Sequence, residues 1–481
     1  MAFIDSTVVN VALPALQKSL DATVLDVQWV VESYALFLAA LLLAGGSLGD
    51  HFGRRRMFCS GVGLFAVASM GCGLAVNVHQ LIGARAIQGI AGALLVPGSL
   101  AIISASFDEA RRGQAIGTWS GFTAITSGIG PVLGGWLIEH VSWRAVFFIN
   151  LPLALIVLFV SLRHVPESKA DAVDTAPDWP GSALATLGLG AVVYGLIESS
   201  RLGLGHTLVI ASLVAGALSL ALFFFLEARS THPMLPLTLF RSRNFSGANL
   251  LTLFLYTGLG GGMFFFPLNL IQIQGYSATA AGAAWLPFIF ILFSLSRWSG
   301  GLVKSYGARL PLVLGPAIVA AAYGLFMIPA VGGSYWFTFF PAMLTLGLGM
   351  AVSVAPLTTT VMNAVAEQRV GVASGVNNAL SRIAGLIGIA VFGIVMVQAF
   401  NRDLDGRLAV MELSPQVRHE VDAQRVRLAG AELSFIADEQ TRRASKDAID
   451  QSFVFGFRLV MLTALGLALA GVLVSFTMIK A

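Results

Sequence analysis

The side chains of this chain that could do chemistry are few, and they sit where charge is expensive. Asp5, Glu32, Arg85 and Arg382 each fall inside an apolar stretch, and an ionised side chain at the centre of a bilayer costs about 2.5–3.5 kcal/mol on insertion scales. Asp5 lies about thirteen residues before Lys18, the polar end of its stretch, which puts it roughly 20 Å below that end. A carboxylate at that depth can exchange protons with a gradient if a cavity brings water to it; the alternative is an Asp fixed in a permanent pair. Arg85 needs a carboxylate. Glu32, one turn into the second stretch, lies at comparable depth and is the expected partner, with Asp5 reachable only through tilted helices. Such a pair is either a proton-released lock or a static bridge. Arg382, flanked by Asn377, Asn378 and Ser381, either meets an anionic group in a central cavity or caps backbone carbonyls.

The elements that position these groups follow from composition. The chain has 481 residues, 56% hydrophobic and only 11% charged, with mean hydropathy +0.81; soluble domains carry roughly 25% charged residues. Its apolar runs are mostly near 20 residues, the length that carries a helix across about 30 Å of hydrocarbon. The expected fold is therefore an all-α polytopic membrane protein of about fourteen helices. Polar linkers divide it into a six-helix unit over 1–163, with a first helix that reads as truncated, a linker and two inserted helices over 164–244, and a second six-helix unit over 245–481. No cleavable signal peptide is read at the start. Arg54, Arg55, Arg56, Arg163, Arg229, Arg241, Arg243, Lys304 and Arg309 gather on one set of loops, which places that set and both termini in the cytoplasm of a cell (inner) membrane. The segment 401–452, with eight basic and ten acidic residues, falls on the opposite side and reads as a solvated amphipathic excursion. Cys59 and Cys72 are roughly 20 Å apart along one helix, too far for a disulfide.

Several short patterns repeat. Gly46 to Arg56 reads as a tight loop in which glycines permit close approach and Asp50, Gly53, Arg54 and Arg55 form a latch. A degraded copy runs from Ser299 to Arg309, with Leu302, Gly307 and Arg309 matching Leu48, Gly53 and Arg55. A second echo pairs Gly113, Gly117 and Gly130 with Gly371, Gly375 and Gly388 at a nearly equal separation. Two related halves suit a transporter. In the fifth stretch Gly130, Pro131, Gly134 and Gly135 describe a smooth, bent helix that either rocks or simply packs closely. Tyr34, Trp119, Phe122, Phe265 and Asn378, with Arg382, are candidate walls of a substrate cavity. Phosphate-loop, H-E-x-x-H and G-x-S-x-G patterns are absent, no metal-ligand spacing occurs, and the basic residues are too scattered for a nucleic-acid face. The chain is thus not read as an enzyme, and no cofactor is expected beyond a proton gradient as energy source.

Taken together these residues resemble the major facilitator superfamily, and within it the fourteen-helix drug:proton antiporter branch. Asp5 to Pro14 is similar to that branch's first-helix signature, Gly46 to Arg56 to the loop between helices two and three, and Leu81 to Gly89 to the fourth-helix motif. Gly130 to Gly135 is similar to the antiporter motif of the fifth helix, and Trp143 to Pro152 completes the set. The resemblance implies that Asp5 takes part in proton coupling, that Arg85 is tied to proton transfer, and that Asp50 and the arginines form a charge relay. It also implies two six-helix bundles that alternate access and export amphipathic or hydrophobic small molecules, such as antibiotics, against protons. Arg382 without a neighbouring carboxylate departs from relatives that favour dications. An exporter or flippase of a lipid or metabolite is the alternative in the same fold, and a periplasmic adaptor is an open further partner.

Overall fold

In hydrocarbon every backbone amide must be paired, which leaves helices or a closed barrel, and apolar runs near 20 residues have the length of a spanning helix. In the computed structural model they are helices, with no strand among the described residues. The structure describes residues 1–106, 122, 126, 128–168, 178–230, 233, 235–365, 370–411 and 413–480, without the side chains of Phe3, Leu43, Asp50, Ser104, Arg297 and Val370. The first unit holds α1 (Ala2–Ser19), α2 (Val24–Phe52), α3 (Arg54–Leu74), α4 (Val78–Ser106), α5 (128–140), α6 (Ala145–Phe148) and α7 (Asn150–His164). The inserted pair is α8 (Trp179–Leu202) and α9 (Thr207–Arg229). The second unit holds α10 (Arg243–Leu268), α11 (Ala278–Ala283), α12 (Leu286–Gly300), α13 (Leu302–Tyr306), α14 (Arg309–Phe326), α15 (Phe339–Asn363), α16 (Val370–Ala409), α17 (Pro415–Gln424) and α18 (Glu439–Met478). Among the described residues twelve helices are long and apolar enough to cross a membrane. α1 and α5 hold the first and fifth places of the expected order outside that count.

Helix ends follow local chemistry. Thr23 opens α2 with a capping box, its Oγ1 accepting from Asp26 N at 3.2 Å while Asp26 Oδ2 accepts from Thr23 N at 2.8 Å, a reciprocal arrangement that satisfies two orphan donors. Gly53, at φ 114°, turns the chain directly from α2 into α3. Ala2 packs beside Leu42 and Val62, and Lys480 N donates to Asn244 Oδ1. Both chain ends therefore lie on the side of Arg54, called the basic side below; the other is the cap side.

Small residues let helices meet backbone to backbone. Any side chain at Gly89 would strike the Tyr34 carbonyl, locking α4 on α2, and one at Gly388 would strike the Thr257 carbonyl, locking α16 on α10. Gly130 of α5 leaves room for the Thr7 hydroxyl of α1. Gly130 and Gly388 thus sit at equivalent joints, fifth helix against first, in the two units.

The segment 401–452 departs from the expected solvated excursion. α16 and α18 are each 40 residues long, roughly 60 Å, and carry their helices past the bilayer into a cap closed by α17 and a 3-10 turn at Arg425–Gly430. Leu404, Leu408, Val421, Leu428, Leu433 and Ile436 are buried in one apolar cluster with Val8, Ala12 and Val27. Its many charged residues pair along the surface, as Arg425 does with Asp405 and Asp422, which frees the apolar positions to pack.

The same cluster joins the two units on the cap side, whereas on the basic side each has its own, around Leu42 and Phe65 and around Phe245 and Val361. The described hydrogen bonds between the units lie toward the cap side. Gln17 Nε2 donates to Arg427 O at 3.1 Å, Gln272 Nε2 to Gln17 Oε1 at 2.8 Å and Gln28 Nε2 to Ile389 O at 3.2 Å, and Arg427 pairs with Asp21. Glu139, at the end of α5, accepts from Thr279 N at 2.9 Å and from Thr279 Oγ1 at 2.6 Å. This is a molecule closed on its cap side. Hydrogen bonds from Ser277 and Thr279 hold the Glu139 carboxyl at about 2, so its contribution to the closed seam is complete above the ordinary carboxylate range and fades as pH falls toward 2. Glu139→Gln is expected to raise the cap-side-open population at pH 7 by about 1.5- to 5-fold, the reach of an exposed charged contact. Spin-label distances between positions 140 and 334 measure it, and an unchanged distribution overturns the assignment.

Candidate functional site

Four helices deliver one polar cluster into an apolar interior. Asp5 of α1 pairs with Arg85 of α4, and both side chains are almost wholly buried. Asp5 Oδ1 also accepts from Gln88 Nε2 at 2.9 Å and from Asn150 Nδ2 at 3.0 Å. Gln88 Nε2 reaches Ser69 Oγ of α3 at 2.7 Å, and Arg85 Nη1 reaches Gln88 Oε1 at 2.7 Å. Arg85 Nε donates to the Val30 carbonyl of α2 at 3.1 Å, and its guanidinium lies 4.2 Å from the centre of the Tyr34 ring. An ionised carboxylate accepts only, and here three donors converge on it; a proton on Asp5 would remove the charge that holds Arg85 and weaken every one of these charge-assisted bonds. The cluster therefore ties α1, α3, α4 and α7 together in a way that depends on the charge of one carboxylate.

This corrects the expected pairing of Glu32 with Arg85. α1 and α4 cross so that Asp5 meets Arg85 near the cap-side ends of α3 and α4, while Glu32 lies on another face of α2, fully buried, with neither oxygen hydrogen-bonded. Tyr34 lies on the α4-facing side, beneath Arg85; Glu32 shares a stripe with Gln28 and Leu36, at helical spacing. Gln88, Asn150 and Ser69 are functional candidates that sequence reasoning passed over. Gln88 stands one turn beyond Arg85, and a polar residue at that spacing in an apolar stretch was the available signal.

The expected cavity walls divide. Phe265 is fully buried, edge to face on Phe264 at 5.0 Å; it fills the core of the second unit and does not line a cavity. Tyr34 is buried beneath Arg85 and belongs to the charge cluster. Asn378 is exposed, with Nδ2 on Ser374 O at 3.0 Å, and Arg382 is partly exposed within electrostatic reach of Tyr34. Phe122 is 66% exposed. Trp119, Gly113 and Gly117 lie outside the described residues. In α5 the antiporter pattern packs on both neighbours: Gly134 abuts Val8 of α1, Gly135 abuts Ala278 of α11, and the Pro131 carbonyl abuts Gly282.

At the basic side an acid outside the expected latch meets its arginines. The Asp50 side chain lies outside the described residues, and Glu167, just past α7, crowns the first turn of α3. Its Oε1 accepts from Arg55 N at 3.0 Å and its Oε2 from Arg56 N at 3.2 Å, while Arg54 N reaches Ser168 O at 2.9 Å and Arg55 Nη1 reaches Val165 O at 3.0 Å. A carboxylate there satisfies orphan amides and complements the positive end of the helix. Gly53 is required twice over: its φ of 114° disfavours side chains, and a methyl on it would stand 2.8 Å from Glu167 Oε1. Gly53→Ala is expected to cost about 1–3 kcal/mol, seen as a lower Tm of the detergent-solubilised protein; an unchanged Tm overturns this reading of the joint.

Comparison with known proteins agrees with this architecture. The family model described as "Major Facilitator Superfamily" matches residues 1–389. The chain is 34% identical over 401 residues to the tetracenomycin C resistance and export protein of Streptomyces glaucescens, covering 82% of this chain and 73% of that protein. It is 35% identical over 425 residues to multidrug resistance protein Stp of Mycobacterium tuberculosis, covering 87% and 78%. Among solved structures, a bacterial homologue of the human lysosomal transporter Spinster, inward-facing and unoccupied, aligns with TM-score 0.67 and 17% identity over 100% of this chain and 95% of that one. With the fold, the family match and two relatives above 30% identity in agreement, the chain belongs to the major facilitator superfamily, whose members are transporters.

Proposed function

We propose that this protein is a proton-coupled exporter of amphipathic or hydrophobic small molecules, working by alternating access. The observation that carries the reading is the buried Asp5–Arg85 pair with its donors Gln88 and Asn150. It is a charge cluster whose geometry depends on one exchangeable proton and which joins four helices of one unit. The relatives named for resistance and export favour an exported drug-like substrate. The concentration of basic residues at Arg54, Arg55, Arg56, Arg243 and Arg309 favours a cytoplasmic basic side in the cell membrane, with both termini inside. In the cap-closed state the substrate enters from the cytoplasm and passes Asn378 and Arg382, while Asp5 is ionised against Arg85. When the units rock, Asp5 takes a proton from the outer side and Arg85 is released to its remaining partners, Gln88, Tyr34 and the Val30 carbonyl. The proton gradient supplies the energy.

A lipid or lipid-like metabolite is the second reading. An apolar groove between α11, α12 and α15, lined by Tyr276, Phe290, Tyr335, Trp336 and Phe340, opens at the cap side with almost no polar surface, which suits an acyl chain.

Asp5→Asn is expected to abolish export driven by a pH jump in inverted membrane vesicles. Because it leaves Arg85 buried without its counter-charge, it is also expected to destabilise the protein by about 3–5 kcal/mol. The double variant Asp5→Asn with Arg85→Gln is expected to recover much of that stability and none of the coupling. Full proton-driven export by either variant refutes the assignment.

A further inference from the structure

Glu32 is left without a role once Arg85 is paired with Asp5, and its setting is unusual. It is 0% exposed, and neither carboxylate oxygen has a hydrogen-bond partner. Glu32 follows Gln28 by one turn and precedes Leu36 by one, on the stripe of α2 that faces two elements outside its own unit. Gln28 of this stripe donates to Ile389 O of α16. Leu36 and Ala39 cluster with Leu189, Val193 and Ile197 of α8 and with Leu386 and Ala390 of α16. Glu32 thus sits in a three-way seam of first unit, second unit and inserted pair, between Gln28, whose amide is committed to Ile389 O, and the apolar cluster around Leu36.

The ionisable groups on the surrounding elements are engaged elsewhere or point away. On α2, Asp26 caps the helix at Thr23 and Tyr34 lies under Arg85. On α8, Glu198 bonds Arg201 at 2.8 Å and Tyr194 packs on Trp29, ring centres 6.1 Å apart. On α16, Arg382 is within electrostatic reach of Tyr34 and makes no bond to Glu32. On α1 and α4, Asp5 and Arg85 hold each other, with Lys18 at the exposed cap-side end of α1. On α3, Arg54, Arg55 and Arg56 are at the basic end, joined to the segment after α7, and Cys72 is on Gln88. In the cap, Arg427 is on Asp21. Among the described residues no cation or donor bonds Glu32, and a bare buried carboxylate costs several kcal/mol.

We propose that closure of the cap-side seam takes up one proton at Glu32: the seam closes over the neutral acid, and when α2 parts from α16 the acid meets outer water and releases that proton to the side it came from. The inference rests on the alternating-access reading but not on Asp5 as the coupling site. The proton is not carried across; it makes the outer closure itself sensitive to outer pH. The sign is fixed. The closed form holds one more proton than the open form, so acidification favours closure and alkaline conditions favour opening, with a limit of about tenfold in the open-to-closed ratio per pH unit for one proton. The inserted helix α8 acquires a role: it walls this acid off from lipid.

The test uses the full chain in lipid nanodiscs without substrate, with Cys59→Ser and Cys72→Ala and spin labels introduced by His140→Cys and Ser334→Cys, both exposed on the cap side of opposite units. Open and closed populations are read from distance distributions between pH 5.5 and 8.5, roughly the span in which a hydrated carboxylate is ionised. With Asp5→Asn and Arg85→Gln together in the background, so that Asp5 cannot contribute and no buried cation is left unpaired, the open fraction is expected to rise with pH. Adding Glu32→Gln is expected to abolish the rise and hold the seam closed throughout, and Glu32→Asp to keep it. If Glu32→Gln is not recovered as folded protein, Glu32→Leu, which fills the same apolar stripe, is read identically. A pH response that survives loss of the carboxylate, or its absence in the Asp5→Asn, Arg85→Gln parent, overturns the proposal. Neither result bears on Asp5, whose failure would show only as proton-driven export by the Asp5→Asn protein.

Discussion

A carboxylate and a guanidinium held together in hydrocarbon govern how the first unit is assembled. Neither Asp5 nor Arg85 tolerates burial alone, and their pairing draws in Gln88, Asn150, Ser69, the Val30 carbonyl and the Tyr34 ring. The glycines serve the same end. Gly89 brings α4 onto the backbone of α2 beside Tyr34, and Gly130 and Gly134 bring α5 onto α1, so the charged groups are set by helices that have almost no freedom to slide. Charge fixes where the helices must meet, and absent side chains let them reach that place.

Much of this was legible in the sequence, because the bilayer narrows the possibilities. Apolar runs of spanning length gave the helices, the arginines gave the basic side, and the rarity of charge singled out Asp5, Glu32 and Arg85. The pairing among these three was not legible. Depth counted in residues assumes parallel helices, and a crossing of α1 over α4 joins groups that such counting separates. The acid that crowns α3, Glu167, was also out of reach, since it lies far along the chain in a polar linker and only the return of α7 brings it to Arg55. Phe265 shows the same limit from the apolar side: a phenylalanine in a membrane helix has one chemistry whether it faces a cavity, lipid or the core, and only packing decides. The amphipathic character of 401–452 was legible, but the burial of its apolar face was not, because charge content reports the surface of a segment and says little about the face turned inward.

The inserted helices meet the two units unequally. α8 lies against α2 and α16 alike through Leu189, Val193 and Ile197, whereas α9 is attached mainly to α8 through close contacts at Gly188, Gly195 and Gly216 and turns most of its surface to lipid. Any rocking of one unit against the other must therefore shear at least one flank of α8, and the smooth aliphatic composition of that flank suits sliding better than interlocked polar groups would.

The unbroken passage of α16 and α18 from membrane into cap has a mechanical consequence. Each is one rigid rod roughly twice the hydrocarbon thickness, so a tilt of a few degrees near the bilayer centre becomes a sweep of several ångströms at Arg427 and its neighbours. The cap then acts as a long lever arm that magnifies a slight interior rotation, and the bonds it makes to Asp21 and Gln17 apply their restraint far from the fulcrum, where a weak grip has the greatest torque.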